Sequence, residues 1–239
     1  GVGYDYIDFY DSSTYCFTPM YYSRDHLNTV IFEDGIKSLG DCVCDNCNTL
    51  ISVTIPNGVT SIPEKAFNGC TSLVNVTIPE SVTSFGSSSF SNCWSLPSIN
   101  IPDGVTLIDS YSFSDCISFT TVTIPESVTT LGMFVFAECR SLESVTLSNS
   151  LTSISYCAFD NCGSLSEVTL PESIESIEYK AFYFCTSLKS IYIPDSVTVK
   201  GDRYTYACHI SGKLSLFVEL QKVDEEWKVL QWQAISSNR

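Results

Sequence analysis

The sequence predicts an α/β solenoid with a 23-residue period, and three observations carry that expectation. Eight of the twelve cysteines stand at Cys47, Cys70, Cys93, Cys116, Cys139, Cys162, Cys185 and Cys208, each 23 residues after the last. Around them a full hydrophobic unit recurs, C-x-x-L-x-x-V-x-I-P-x-x-V-x-x-I-x-x-x-A/S-F-x-x, as in CTSLVNVTIPESVTSFGSSSFSN from Cys70 and CGSLSEVTLPESIESIEYKAFYF from Cys162. Within that unit the apolar spacing changes from two to three or four, so each copy holds a strand and then a tighter turn or helical segment, neither of which can bury its own face. Self-similarity at such a period means stacked coils that bury a continuous core between neighbours.

Taken in chain order, residues 1–23 precede the array and are rich in rings: Tyr4, Tyr6, Phe9, Tyr10, Tyr15, Phe17, Tyr21 and Tyr22. They read as an N-terminal cap with strand-like alternation over the exposed end of the core. An arm of that kind is also suited to pairing with the edge strand of another chain.

The array occupies 24–216, about eight coils plus a last strand. In each coil an alternating pair such as Val53 and Ile55 lies in a β-branched segment, which makes a short strand with one buried face. Pro56 ends that strand because it has no N–H for the ladder, and Asn57-Gly58 completes a turn. Val59, Ile62, Ala66 and Phe67 follow at spacings of three and four, which suits turn, 3₁₀ or short helix. Stacking coils bring their strands into a parallel sheet at roughly 4.8 Å spacing. The pattern starts with Leu27, Val30, Phe32, Ile36 and Leu39, where Cys44 replaces the phenylalanine. It decays after Pro194, where Lys200 and Thr205 replace apolar residues, although Leu214 and Leu216 keep strand positions. Residues 217–239 form a C-terminal cap, for which Val223, Trp227 and Leu230 at helical intervals favour helix over strand.

The run SVTIPxxVTSIxxxAFxxCxSL closely resembles the leucine-rich repeats of the BspA-like (Treponema pallidum-type) family, over about 24–216. The resemblance implies a leucine-rich-repeat solenoid of right-handed coils. It also implies an extracellular or cell-surface protein that adheres to other proteins or cells. It carries no catalytic residues, because the family motif contains none.

Composition narrows the function. Of 239 residues 44% are apolar, and 12 Lys+Arg face 27 Asp+Glu for a formal charge of -15. That surface repels phosphate backbones and anionic headgroups, so nucleic acid is excluded as a partner. No apolar run reaches the roughly 18 residues of a membrane helix, so membrane insertion is excluded too. The opening GVGYDYIDFYD has neither basic region nor leucine-rich stretch, and reads as a mature exported chain or one that never carried a signal. No G-x-S-x-G, P-loop, G-x-G-x-x-G or H-E-x-x-H occurs, and His26 and His209 stand at opposite ends of the array. The expectation is a protein without enzymatic activity, cofactor or metal.

The cysteine ladder has three readings. Stacked Cα atoms about 5 Å apart lie inside the disulfide window, but identical stacked positions point their side chains in parallel where a disulfide needs convergence. A ladder also offers no tetrahedral cluster for zinc. The favoured reading is a column of buried free thiols hydrogen-bonded to neighbouring backbone. Cys16, Cys42, Cys44 and Cys157 lie off the ladder. Cys42-Val43-Cys44-x-x-Cys47 is half of a metal knuckle, and a disulfide through Cys16 at the N-terminal cap competes with it.

Three surfaces are candidates for binding. The strands point Ser52/Thr54, Asn75/Thr77, Ser98/Asn100, Thr121/Thr123, Ser144/Thr146, Glu167/Thr169 and Ser190/Tyr192 outward on the concave sheet. Threonine's strand propensity and cross-strand pairing account for most of that row. The candidates on this face for a protein or glycan ligand are Thr123, Thr146, Glu167, Thr169, Ser190 and Tyr192. Asn75-Val76-Thr77 is also a glycosylation sequon, relevant in a eukaryotic secretory route. The turns carry Asp34, Asn57, Glu80, Asp103, Glu126, Asn149, Glu172 and Asp195, a row read as solvated carboxylates rather than a calcium stripe. On the convex side, Tyr111, Met133, Phe134, Tyr156, Tyr179 and Tyr183 replace the Ser, Glu, Asn or Lys of other units. This aromatic flank is either an interaction patch or packing between neighbouring segments. Self-association through the ends or the flank is a further use of the same surfaces. Two functions remain: an extracellular protein-interaction or adhesion module, and a cytoplasmic scaffold or assembly subunit with reduced cysteines.

Overall fold

A computed structural model describes residues 25–188, 191–194 and 196–197, and three strands, 204–210, 214–223 and 226–236, for which it gives the backbone course and pairing. The N-terminal cap expected over 1–23, with Cys16, lies outside the described residues, as do Ser190, Asp195 and Lys200.

Two parallel strand ladders, each interrupted once, join the coils. The first comprises β1 (Thr29–Ile31), β2 (Ser52–Thr54), β4 (Asn75–Thr77), β7 (Thr121–Thr123), β9 (Ser144–Thr146) and β11 (Glu167–Val168). The second comprises β3 (Ser61–Ile62), β5 (Ser84–Phe85), β6 (Leu107–Ile108) and β8 (Thr130–Leu131), and resumes as the pair β10 (Ser153–Ile154) and β12 (Ser176–Ile177). Partners sit one repeat apart, Val53 opposite Val76 and Ile62 opposite Phe85. The first ladder skips the coil that carries Pro97, where no strand forms between β4 and β7. Proline there withholds an N–H in the approach to the pairing position.

Of the turn, 3₁₀ or short helix expected after each strand, the described residues show turns and no helix. The spacing of three and four comes instead from the short second strand and a train of turns. The N–H groups of Lys65, Phe67 and Gly69 donate outward to the carbonyls of Ser87, Ser89 and Ser91 in the next coil at 2.9, 2.8 and 2.8 Å. Those of Ala66, Asn68 and Cys70 return to Pro63, Lys65 and Phe67 within the coil at 3.3, 3.2 and 3.3 Å. A helix would keep every bond internal. Here Lys65 at φ 52° and Gly69 at φ 69° turn the chain into the left-handed region on alternate sides of the phenylalanine, which stops helix propagation.

Between the ladders lies one continuous core. Phe67, Phe90, Phe113, Phe136, Phe159 and Phe182 form a column of stacked rings with successive centroids 5.0, 6.0, 5.6, 5.5 and 5.4 Å apart. The first five are fully buried, with Leu50, Leu73, Val59 and Ile62 beside them. Offset or tilted ring pairs add about 0.5–1.5 kcal/mol each beyond their burial.

Residues 204–236 are organised differently. Strands β13 (Tyr204–Ile210), β14 (Leu214–Val223) and β15 (Glu226–Ser236) pair antiparallel in the order β13-β14-β15. This corrects the helix expected within 217–235, and Leu214 and Leu216 begin an antiparallel strand rather than a further parallel rung. Val218, Val223, Trp227, Val229, Trp232 and Ile235 supply β-branched and aromatic side chains that outweigh a helical spacing compatible with either element. Strand β14 runs through residue 216, where the sequence placed the end of the array.

Candidate functional site

The flank is built by the same backbone alternation that makes the coil. In the coils of Cys93, Cys116 and Cys139 the first left-handed residues are Tyr111, Phe134 and Cys157, at φ 60°, 56° and 53°. Their N–H groups donate to the carbonyls of Met133, Tyr156 and Tyr179 at 2.9, 3.0 and 3.1 Å, so every step along the flank is tied by main chain. Consecutive rungs therefore lie at the distance at which rings touch. Tyr111 and Phe134 are parallel within 7° at 4.8 Å, Phe134 meets Tyr156 edge-on at 5.3 Å, and Tyr156 stacks on Tyr179 at 5.8 Å. Met133 and Tyr179 are 49% and 58% exposed. A bulky residue at positive φ is an outlier that surrounding structure must hold in place.

Of the six sequence candidates on this side, Tyr111, Phe134, Tyr156 and Tyr179 form one column beside Met133. Tyr183 stands on the following turn, edge-on to Phe184 at 4.2 Å. Lys180 joins the two groups, its Nζ 5.4 Å from the Tyr179 ring and 4.7 Å from the Tyr183 ring. Lys180 and Phe184 are additions to the sequence reading. Phe184 was visible in principle, because the equivalent left-handed rung is Asn46, Gly69, Asn92, Asp115 or Asn161 in other coils. Carboxylates border the column: an Oε2 of Glu178 accepts from the Tyr156 N–H at 3.0 Å. One turn further, burial and the nearby Glu138 carboxylate raise the Asp160 pKa above its ordinary value, and burial first, then Asp160, raises that of Cys157.

The strand-face candidates are spread along a ladder rather than converging. Thr123 pairs with Thr146, and Thr123, Thr146, Glu167, Thr169 and Tyr192 are exposed, Tyr192 to 65%. Ser190 lies outside the described residues. The turn residues Asp34, Asn57, Glu80, Asp103, Glu126, Asn149 and Glu172 are likewise exposed. Glu126 binds Asn149 through its N–H and Nδ2, both at 2.8 Å, so one neutral turn residue ties down its acidic neighbour. Among the described residues no three His, Cys, Asp or Glu side chains are grouped to hold a metal. No helix is long and apolar enough to cross a membrane.

Cys70, Cys93, Cys116, Cys139, Cys162 and Cys185 are buried free thiols, and Cys47 is buried beside them. Each of the six donates to a carbonyl one coil back, Cys70 to Cys44 and the others to Phe67, Phe90, Phe113, Phe136 and Phe159, at 3.1–3.3 Å. Burial raises the pKa of Cys93, Cys116 and Cys139 well above an ordinary thiol, which suppresses the reactive thiolate. Cys208 belongs to β13, outside the residues whose side chains are described. Off the ladder, Cys42 is disulfide-bonded.

The BspA type leucine rich repeat region, in six copies, matches residues 5–120 and 106–226. No curated protein matches the chain. A leucine-rich repeat protein from Bacteroides ovatus is 30% identical with a TM-score of 0.66, over 71% of this chain and 46% of that one, so the chain spans about half of that relative. The Treponema pallidum leucine rich repeat protein is 28% identical with a TM-score of 0.64, over 68% of this chain and 78% of its own. Repeat unit, parallel ladders and these likenesses agree, and the chain belongs to the BspA-type leucine-rich-repeat family.

Proposed function

We propose that the protein is a non-enzymatic, extracellular or cell-surface interaction module that binds a protein partner through its aromatic flank. The observation that carries this is the column Tyr111–Phe134–Tyr156–Tyr179, four rings in contact on the outside of the array where other coils place Ser, Glu or Lys. Aromatic side chains and methionine are the residues in which protein interfaces are enriched. The geometry favours protein over glycan. Met133, 49% exposed beside the rings, adds an adaptable apolar side chain of the kind enriched at protein interfaces, for which a polar sugar offers no match. The polar row of Thr123, Thr146, Glu167, Thr169, Ser190 and Tyr192 is the second surface, with Tyr192 its most exposed member.

Export is supported by the Cys42 disulfide, a bond that persists in oxidising compartments. The free thiols do not argue for the alternative, a cytoplasmic scaffold. Buried thiols with raised pKa values stay reduced on either side of a membrane.

The test is binding by surface plasmon resonance to a panel of purified extracellular proteins, alongside a glycan array. Wild type is compared with Tyr111→Ser/Phe134→Ser/Tyr156→Ser/Tyr179→Ser. Serine already occupies these rungs at Ser87, Ser88 and Ser110, so the variant is expected to fold. A protein ligand lost in the variant supports the proposal. Binding to glycans alone, or a protein ligand kept in full by the variant, overturns it.

A further inference from the structure

Resting on the reading of the flank as an interaction surface, we infer that its partner is a basic protein segment, recognised by arginine side chains on the open ring faces. Three features point there. First, the column leaves ring surface in solvent, with Tyr111 and Tyr179 40% and 58% exposed. The rung before Tyr111 is Ser88, too small to cover the outer face of that ring. At Phe134–Tyr156 the planes cross at 63°, which breaks the run of parallel faces. Aromatic faces carry the negative part of the ring quadrupole and attract cations, arginine more often than lysine.

Second, the flank already holds one cation in this way. Among the described residues Lys180 makes no ion pair. Its ammonium instead lies over Tyr179 and Tyr183, at 5.4 and 4.7 Å. The rings at this end are thus shown to accept positive charge, and an intramolecular lysine occupies that place.

Third, the border is acidic. Glu178 is exposed and anchored to the Tyr156 N–H at 3.0 Å, and Asp160 stands on the neighbouring turn beside Glu138, which Arg140 already pairs at 2.8 Å, within a chain of net charge -15. An apolar partner would have to desolvate the exposed Glu178 carboxylate, and an acidic one would be repelled by it. A guanidinium satisfies both the ring faces and the carboxylates, with five N–H donors in one plane.

The experiment uses the full chain and fluorescein-labelled Arg-Gly, Lys-Gly and Glu-Gly repeat octapeptides, read by anisotropy at about 0.15 M salt, where distant charges are screened. The Arg-Gly peptide is expected to bind most tightly and the Glu-Gly peptide not at all. Tyr111→Ser/Tyr156→Ser leaves the net charge unchanged and is expected to weaken Arg-Gly binding about tenfold, the product of two exposed cation–ring contacts. Lys180→Gln, which vacates Tyr179 and Tyr183, is expected to tighten it by more than removal of one remote charge would; Lys37→Gln is the control. Equal binding by wild type and the serine variant would reduce the effect to overall charge and overturn the inference. A neutral protein ligand that depends on the rings, with no Arg-Gly binding, would overturn it too, while leaving the interaction surface itself standing.

Discussion

The Sγ of Cys93 donates to the carbonyl oxygen of Phe67 at 3.2 Å, reaching 26 residues back along the chain and one coil across the stack. The bond joins the two columns of the core, because the residue whose carbonyl accepts is also a rung of the phenylalanine stack. Cys93→Ala removes the donor and leaves a void beside a fully buried carbonyl. A loss of about 1–3 kcal/mol is expected, as a lower urea midpoint at unchanged slope. An unchanged midpoint would show that the thiol is mere filler.

Ser89 occupies the rung that is Ala66, Ala158 and Ala181 in other coils, and its Oγ is buried with no hydrogen-bond partner. Ser112, one coil on, escapes the same cost by donating to Gly86 and Asp109 carbonyls. Ser89→Ala should stabilise the protein by about 1 kcal/mol, whereas Ser112→Ala should destabilise it by a similar amount. Thermal denaturation of the pair checks the opposite signs.

Two glycines on the array separate in the same manner. A Cβ on Gly132 would collide with the backbone of Asp109 and Ser110, so Gly132→Ala forces adjacent coils apart and should cost about 1–3 kcal/mol or more. Gly104 has its nearest atoms at 3.7 Å, one of them the Val82 carbonyl. Ser81, Ser127 and Ser173 hold the same rung and donate to Val59, Val105 and Leu151 at 2.7, 2.6 and 2.6 Å. Gly104→Ser should complete that row and raise stability by about 0.5–1.5 kcal/mol. Urea titration distinguishes the two substitutions.

Acidity should help rather than harm this fold over part of its range. Burial is the first cause of the raised pKa values of Asp115 and Asp160, with Glu138 adding to each. The folded protein therefore binds more protons than the unfolded chain between the usual aspartate pKa and the raised ones. Stability falls as pH rises through that window and is recovered below it. The melting temperature just above the usual aspartate pKa, at about pH 4, should exceed that at about pH 7, and Asp115→Asn/Asp160→Asn should flatten the difference. A wild-type profile that rises with pH would contradict the assignment.

Alkylation of the denatured, non-reduced protein should leave two of the twelve cysteines protected, Cys42 among them. Peptide mapping identifies its partner. Native-state reaction with a thiol reagent should leave Cys93, Cys116 and Cys139 untouched over the time in which an exposed thiol reacts fully.

The core was legible because its residues repeat without change: Val53, Val76 and Val145 announce the first ladder, and Phe67 to Phe159 the ring column. The course of the chain between them was not. Lys65, Ser88, Tyr111 and Cys157 share a left-handed backbone but no side-chain property that signals it, since the cause is the next coil's carbonyl rather than the residue itself. Trp227 and Leu230 fit helix and strand equally, and strand pairing with β14 decides between them. On the flank, Tyr111 to Tyr179 stood out as rings where other coils are polar. The cation seat made by Lys180 did not, because it depends on the left-handed backbone at Lys180, φ 59°, which no side-chain property signals.

The alternation of N–H groups between the same coil and the next has a consequence for how such a chain can change length. Along the train of turns a coil presents an identical set of donors to one neighbour and of acceptors to the other, so a coil that also keeps its strand N–H groups, unlike the one with Pro97, can be removed or duplicated and the cut ends will still match. Excision of 70–92 should therefore leave Cys47 facing Cys93 across an ordinary junction. The flank does not share this freedom, since its rings differ from rung to rung and depend on one order of coils. The array is interchangeable material; the four-coil stretch bearing Tyr111 to Tyr179 is a composed sequence within it, and it is there that loss of a single repeat would be felt.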